Sequence, residues 1–564
     1  MFINFYTFFI FYFFIISSII GYGFFIYNIV GKSLSSKNIG YIGLTAIFFF
    51  SIYSYFTSLF IKHGAYHNLI FLGLGFILFL IKIKNLNKLS KNNLILTVGI
   101  FGFLLFGLFI YKTHDDFLYY HFQYSYYLTQ QPSIIGIGNF GLGLRTSSSL
   151  FYLNSLFYLP IIEYFTFQIT PVLILGFSNL ILIIKIKNDL ENKRYNFLTI
   201  YNLLVFLFIN IFFYRISEHG TDKSAQILIL ILISEILLMI NFKVNIEKSI
   251  TKLFTLIGLI IAFKAFYILY GLLFLVIIFH IYKVKKNLHN SFKILIKNYF
   301  FLSFLFLLTL LLFHNFLISG CLIYPVSISC FDNNLWAIKI NEVKDLNNWY
   351  EQWAKGGAGP DFRVDNPTLY IKNFNWVFNW IDVYFFNKVS DFLLGLSALL
   401  LITFFILKTK VKNLTKKKNK INLLVFLILI LLLEWFYNHP ALRYGGYCLI
   451  VSLIFIYFSI FMEKYQVQIN LISKKFYFLI FVTILIFIFR NYERVKFEKE
   501  FYSYKPLKNF YFKIEEKSFN LQNNLEELIS NYEVCKNNDI NCQFTIDGNI
   551  YVEKKYGKYI FYKK

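Results

Sequence analysis

Two adjacent carboxylates, Asp115 and Asp116, stand between His114 and His121, directly after the apolar run Leu94 to Tyr111. Such a pair suits a general base that polarises an acceptor hydroxyl, since repulsion or desolvation lifts the pKa of one member toward the working range. Ionisable groups at the edge of a membrane span are costly, which makes them functional candidates. Asp115 and Asp116 are therefore the catalytic pair on this reading, with His114 and His121 beside the substrate. The bland alternative is an N-terminal helix cap with the two histidines lining an interface. His114, an aspartate and His121 also have the chemistry to hold a divalent cation, but their spacing is not diagnostic. No metal site is assigned, and a divalent cation is the one candidate cofactor.

Three further polar islands offer binding groups. Gly136, Gly138 and Gly141 form a literal GxGxxG, yet no strand precedes it and no βαβ unit contains it, so a tight loop is expected and not a dinucleotide site. Arg145 follows, with hydroxyls from Thr146 to Ser149 that either help it hold a phosphate or cap the next helix. The second island, Arg215 to Gln226, gathers Arg215, Glu218, His219, Asp222 and Lys223. The third, Asn438 to Gly446, carries His439, Arg443 and Tyr444, for which snorkelling anchorage is the competing account. Three islands on one face of a membrane are most economically read as one shared cavity. His63 and His67, four apart, are left as interface residues.

The elements that must position these residues are membrane helices. The chain has 564 residues, is 57% hydrophobic and has a mean hydropathy of +0.58, which excludes a soluble domain. A net charge of +25 suggests nucleic acid until the lysines are placed. Many fall in short connections between apolar runs, which is the positive-inside pattern of a bilayer protein and gives no nucleic-acid partner. The N-terminus lacks a basic leader and its apolar run continues to about Val30, so no signal peptide is expected. Apolar runs predict an all-α integral membrane protein of about 12–14 transmembrane helices, with exported loops and a small C-terminal exported domain. The expected organisation is N-terminal helices at 1–112, an acidic catalytic loop at 113–164, a transmembrane core at 165–318, a Trp-rich exported loop at 319–387, C-terminal helices at 388–490 and the exported tail at 491–564. Leu253 to Lys283 reads either as two short spans around Lys264 or as one kinked or re-entrant element. The basic stretch 411–420 counts to the inside, which places all three islands on the exported side.

Cysteine usage fits that topology. Cys321 and Cys330 share the large loop and Cys535 and Cys542 share the tail, suggesting two disulfides in an oxidising compartment; four free thiols are the alternative. The large loop also holds five of the six tryptophans, suited either to stacking on sugar faces or to lying at the membrane interface. Within it, 356–363 looks like a turn able to close over a substrate.

An acidic pair after an early span, in an exported loop followed by many more spans, resembles the GT-C superfamily of membrane glycosyltransferases. The stretches HDDFLYYH, GIGNFGLGLRTSSSLFYLNSLFYLP, RISEHGTDKSAQ and HPALRYGGY are also similar to uncharacterised bacterial polytopic proteins from polysaccharide gene neighbourhoods. The resemblance implies transfer of a sugar from a polyprenyl-phosphate donor to a cell-envelope glycan or lipid acceptor. It implies a multi-pass protein of the bacterial inner membrane with its site on the periplasmic side. Asp115 would be base or orienter, Asp116 its neighbour, and Arg145, Arg215, Lys223 and Arg443 candidates to neutralise the leaving phosphate. Where the superfamily often has Glu at the second acidic position, this chain has Asp. An O-antigen-type polysaccharide polymerase or ligase, and a lipid-linked glycan flippase, remain the alternatives; the flippase expects ionisable groups deep in several spans.

Overall fold

The computed structural model describes residues 5–30, 38–84, 88–359, 364–408, 420–465, 469–506, 514–537, 550–555 and 557–564, with backbone alone for 88–90 and 469–471. The stretch 411–419, residues 360–363 of the expected turn, and Cys542 lie outside the described residues.

The described chain is all-α apart from one C-terminal hairpin. Four long helices come first: α1 (Phe5–Val30), α2 (Ile39–Ser58), α3 (Ala65–Lys84) and α4 (Lys88–Leu104). The acidic stretch carries the short α5 (Phe122–Gln130) and α6 (Ser149–Leu156). There follow α7 (Ile169–Glu191), α8 (Phe197–Ile211), α9 (Gly220–Asn241), α10 (Ile246–Phe263), α11 (Phe274–Lys285), α12 (Leu288–Ile296) and α13 (Tyr299–Ser319). The large loop holds α14 (Ile340–Lys355), α15 (Pro367–Ile371) and α16 (Val377–Trp380). The last helices are α17 (Ser390–Leu407), α18 (Asn422–Asn438), α19 (Gly446–Met462), α20 (Ile469–Phe501) and α21 (Asn520–Asn537), before the strands β1 (Ile550–Lys555) and β2 (Lys558–Lys563).

Among the described residues, 10 helical segments are long and apolar enough to cross a bilayer, which marks a multi-pass membrane protein. Three others, α8, α18 and α19, are apolar but shorter. Burial separates the helices into centre and rim: 94% of the apolar window of α7 and 89% of that of α9 is buried inside the protein, against 17% for α3. A helix apolar all round and enclosed by protein belongs to the core, whereas α3 turns its apolar side chains outward to lipid. The chain breaks at Lys264, whose backbone is extended, and reverses there, so that Phe254 of α10 lies against Phe274 of α11 with ring centroids 5.4 Å apart. Two elements, not one kinked helix, meet at Lys264.

The tail docks on the acidic stretch. Leu521 donates its amide to Gln123 Oε1 at 3.3 Å and Gln131 donates to Gln522 Oε1 at 3.2 Å, joining α21 to α5. The hairpin is antiparallel, with Ile550 opposite Lys563. Its Phe561 donates to the Ile135 carbonyl at 3.0 Å, and the Phe561 carbonyl accepts from Asn139 at 3.2 Å. Gly136 makes this possible: its φ is +81°, and a Cβ there would stand 1.9 Å from the Phe561 carbonyl oxygen. The glycine-rich loop is thus a tight turn approached by a strand. The helix α20 runs unbroken from the apolar span into the tail at Phe501.

Cys321 and Cys330 form a disulfide, Cys535 is disulfide-bonded, and Cys448 is free and buried in α19.

Candidate functional site

Four segments distant in sequence converge on one guanidinium. Arg443, in the turn between α18 and α19, donates Nε to Asp222 Oδ2 at 3.0 Å and Nη2 to Asp116 Oδ2 at 3.2 Å. Asp222 stands in the first turn of α9, where the helix dipole favours a carboxylate, and its other oxygen accepts from Lys264 at the α10–α11 corner. The ring of Tyr444 lies under Lys264 at 4.6 Å, and Trp353 from α14 lies under Arg443 at 5.5 Å. The result is a chain of alternating charge, Asp116, Arg443, Asp222 and Lys264, backed by aromatic faces.

The two aspartates play different parts. His114 Nδ1 accepts the Asp116 backbone N–H at 3.1 Å, so the proton of the neutral imidazole sits on Nε2. Burial pushes the Asp116 carboxyl up, but the neighbouring His114, the Arg443 guanidinium and His121 outweigh it and hold it below the usual carboxylate value. For Asp116 the shift runs opposite to that expected of a crowded carboxylate, because the guanidinium of Arg443 is within hydrogen-bond reach at 3.2 Å. Asp115, by contrast, is exposed, and its side chain makes no hydrogen bond or ion pair among the described residues.

Asp115 faces a cavity of about 190 Å³, lined also by Lys112, Thr113, His114, Glu218, His219, Asp222, Lys223, Arg443 and Tyr447. The ammonium groups of Lys112 and Lys223 make no ion pair among the described residues. Glu218 is spent on the wall: it pairs with Arg494 from α20 and with Arg215 at 3.5 Å, while Arg494 also holds Glu498 at 2.8 Å and Glu498 accepts the Lys112 backbone N–H at 2.9 Å. His219 donates Nε2–H to the Phe213 carbonyl at 2.6 Å, and burial together with Lys223 lowers its pKa to about 3.

Behind this cavity lies a smaller one of about 10 Å³, room for about one water, bounded by His114, His121, Asn154, Gln168 and Gly220. His121 Nε2, Asn154 Nδ2 and Gln168 Nε2 are buried there without a protein partner among the described residues. Burial, and next His114, lower the His121 pKa to about 3. A π-helical turn, Phe117–His121, sets His121 beside His114 with ring centroids 5.6 Å apart. Gly220, with φ +52°, passes under both rings; a Cβ there would stand 3.3 Å from His121 and 3.4 Å from His114.

Of the residues singled out from sequence, His114, Asp115, Glu218, His219, Asp222, Lys223 and Arg443 line the main cavity, Asp116 and Tyr444 adjoin it, and His121 lines the smaller one. Arg215 sits on the outer side of Glu218 and stacks on Tyr214 at 5.6 Å. His439 is half-buried beside Phe266, with ring centroids 5.3 Å apart, and its pKa is lowered to about 4 by burial, then Lys355 and Lys264. Arg145 is elsewhere: it bonds to Glu342 of α14, to the Tyr324 hydroxyl at 2.8 Å and to the Gly138 carbonyl at 3.3 Å. Two of the hydroxyls after it are spent as well, Ser148 capping α6 at 3.2 Å and Ser147 donating to Asn315 at 2.8 Å, while Ser149 Oγ is buried without a partner among the described residues. His63 and His67 bond to Ser155 at 2.7 Å and to Tyr53 at 2.9 Å at the α2–α3 corner. Groups of three or more metal-ligating side chains are absent among the described residues.

Sequence reasoning gave no site role to Lys112, Lys264, Tyr447 and Arg494, and placed Trp353 only among the loop tryptophans suited to sugar faces or the membrane interface. Lys264 had a signal, a lone charge inside an apolar run. Arg494 had none, since it stands in a basic segment like any solvated helix end.

Residues 5–450 match the model of a family described as a domain of unknown function, DUF8201. The chain belongs to the DUF8201 family. No curated protein and no solved structure matches it. The matched DUF8201 region takes in every residue that lines the cavity, through Tyr447, and ends before α20, whose Arg494 braces the rim through Glu218.

Proposed function

We propose that this DUF8201 protein is a membrane glycosyltransferase of the bacterial inner membrane. It moves a sugar from a polyprenyl-phosphate donor to a cell-envelope glycan or lipid on the periplasmic face. One observation carries the reading: an unpaired carboxylate, Asp115, faces a cavity whose walls also present unpaired Lys112 and Lys223 and the bridging Arg443.

Each group has a part in an inverting transfer. The acceptor hydroxyl attacks the anomeric carbon and loses its proton to Asp115, while the bond from that carbon to the phosphate oxygen breaks and its electron pair leaves with the lipid phosphate. Lys223 and Lys112 bind the phosphate of the donor and go on to neutralise the charge that develops on that oxygen, in a pocket already partly withdrawn from water. Asp116 and Asp222 are occupied by Arg443 and Lys264 and do not compete for the proton. They hold Arg443 in a fixed pose, and the aromatic faces of Trp353 and Tyr444 shape the pocket wall.

The test compares wild type and Asp115→Asn in proteoliposomes supplied with labelled polyprenyl-phosphate sugars. Label should leave the donor only with the wild type, and the product then names the acceptor. Full turnover by Asp115→Asn removes the proposal. A wild type that leaves every monophosphate donor intact, but changes the length or location of diphosphate-linked glycans, moves the assignment to a polymerase, ligase or flippase.

A further inference from the structure

The far end of the bundle carries a second surface. The segment Ala265–Lys285, a 3-10 helix (Ala265–Leu273) continued by α11, starts next to the site, where Tyr267 donates to the Arg443 carbonyl at 3.3 Å, and runs away from it to Lys285. Helix α13 returns, and by Leu317 its carbonyl accepts from Gly136 at 2.8 Å, back at the level of the acidic stretch. Between them lies α12. Its nine residues are too few to cross about 30 Å of hydrocarbon, and the segments on either side, Ala265–Lys285 and Tyr299–Ser319, are each 21 residues and cross unaided. The helix therefore lies outside the hydrocarbon core at the end opposite the cavity.

Local chemistry isolates it. Lys286, with φ +53°, ends α11; Asn287 caps α12 by accepting the Asn290 amide at 3.3 Å; Asn298 caps α13 by accepting the Phe300 amide at 3.0 Å. Ser291 and Leu295 are buried under α12. Leu288, Phe292 and Ile296 are 56%, 49% and 58% exposed, and their spacing of four puts them in one stripe along the helix. Exposed lysines flank the stripe at Lys285, Lys286, Lys293 and Lys297, none in an ion pair among the described residues, and no acidic residue occurs in sequence between Glu247 and Asp332. An apolar stripe bordered by unneutralised cations at the edge of a bundle has the chemistry of an interfacial membrane helix.

We infer that α12 lies in the headgroup layer of the leaflet opposite the cavity, with Leu288, Phe292 and Ile296 among acyl chains and the lysines on the phosphates of anionic phospholipid. The occupant is lipid and not a soluble acidic protein because the stripe adjoins the outward-facing apolar side chains at the near ends of α11 and α13, where Tyr282, Val284, Tyr299 and Leu302 are also exposed.

The test uses the full chain with Phe292→Cys carrying an environment-sensitive fluorophore; Cys448 is buried and the disulfide-bonded cysteines do not react. In vesicles of phosphatidylcholine with phosphatidylglycerol, the label should emit as in an apolar medium, resist an aqueous quencher and be quenched by shallow brominated lipid. Native mass spectrometry of the protein extracted from the same vesicles should show phosphatidylglycerol retained several-fold over phosphatidylcholine. The combined Lys286→Gln, Lys293→Gln and Lys297→Gln variant should lose that preference while eluting as the wild type does. A label open to the aqueous quencher in these vesicles, or a preference that survives the triple substitution, overturns the inference.

Discussion

Helix α9 carries two clusters in which a carboxylate is held by cations, and only one of the two faces open space. At the N-terminal end, Asp222 shares Arg443 with Asp116 and takes Lys264 besides. Thirteen residues along, about 20 Å at 1.5 Å per residue, Glu235 accepts from Tyr41 and Lys185 and stands 3.5 Å from Lys252. Glu235 is 1% exposed, and neither described cavity reaches it. A flippase reading would give such a deep charge a place on a substrate path. Its enclosure instead makes it a tie among α2, α7, α9 and α10. The difference lies in what is left over: the Glu235 cluster leaves its charges enclosed, whereas Asp115, Lys112 and Lys223 stand unpaired around a cavity. Matched charges hold helices together, and unmatched charges facing a void are available for a substrate.

The largest expected effect tests the open cluster. Asp115→Asn should lower transfer on the order of 10²–10⁴-fold, the usual share of a general base, with the melting temperature in detergent unchanged because the side chain is exposed and unpaired. A matching fall in stability would place Asp115 with the structural charges and erase the contrast. Glu235→Gln should do the reverse. Removing the carboxylate from between Lys185 and Lys252, which are 13% and 24% exposed, leaves two partly buried like charges without their partner, a cost toward the lower end of about 3–5 kcal/mol, so the yield of folded protein should fall sharply. Turnover per folded molecule should hold, and a selective loss of turnover would reopen the flippase reading.

Lys223→Ala is the next step down. A charge-assisted hydrogen bond to a phosphate contributes about 1.5–3 kcal/mol, so the donor KM should rise roughly tenfold or more, with kcat less affected and the melting temperature unmoved. A KM that stays constant would assign the donor phosphate to Lys112 and Arg443.

Much of this was legible in the sequence, and the limits have physical causes. Hydropathy and length mark the apolar helices, and the density of unlike charges at 215–226 marks one wall of the cavity. The convergence of Asp116, Asp222 and Arg443 was foreseen only as three islands on one face, because periodicity says which end of a helix a residue occupies and not which neighbour it meets. Arg145 shows the cost: its setting beside glycines and hydroxyls reads as a phosphate site, yet its partners Glu342 and Tyr324 come from a loop far along the chain. The tail is a second case. Its alternation of charged and aromatic residues suggests a separate unit, whereas β2 is seated on the Gly136 turn through a backbone contact that no side-chain pattern announces.

The smallest effect is graded and concerns the histidines behind the open cluster. His121 and His219 are held neutral, with pKa values lowered from 6.5 to about 3, chiefly by burial and then by His114 beside the first and Lys223 beside the second. A group whose folded pKa is depressed binds its proton more readily in the unfolded chain, so its stabilising contribution is complete above 6.5 and is lost as the pH falls from there toward 3. Each histidine should therefore cost about 1.4 kcal/mol per pH unit in that window. Thermal unfolding in detergent, followed from neutral pH to about pH 5, should show a falling midpoint, and His121→Gln should remove that one residue's share of the slope, since His63 and His439, also held neutral by burial, contribute to the rest. Because Asp116 is also held below its ordinary 3.8, its contribution persists to lower pH and adds to the loss only below that value. A midpoint independent of pH between 7 and 5 would mean that both imidazoles are open to water, and with them the wall that separates the cavity from the core.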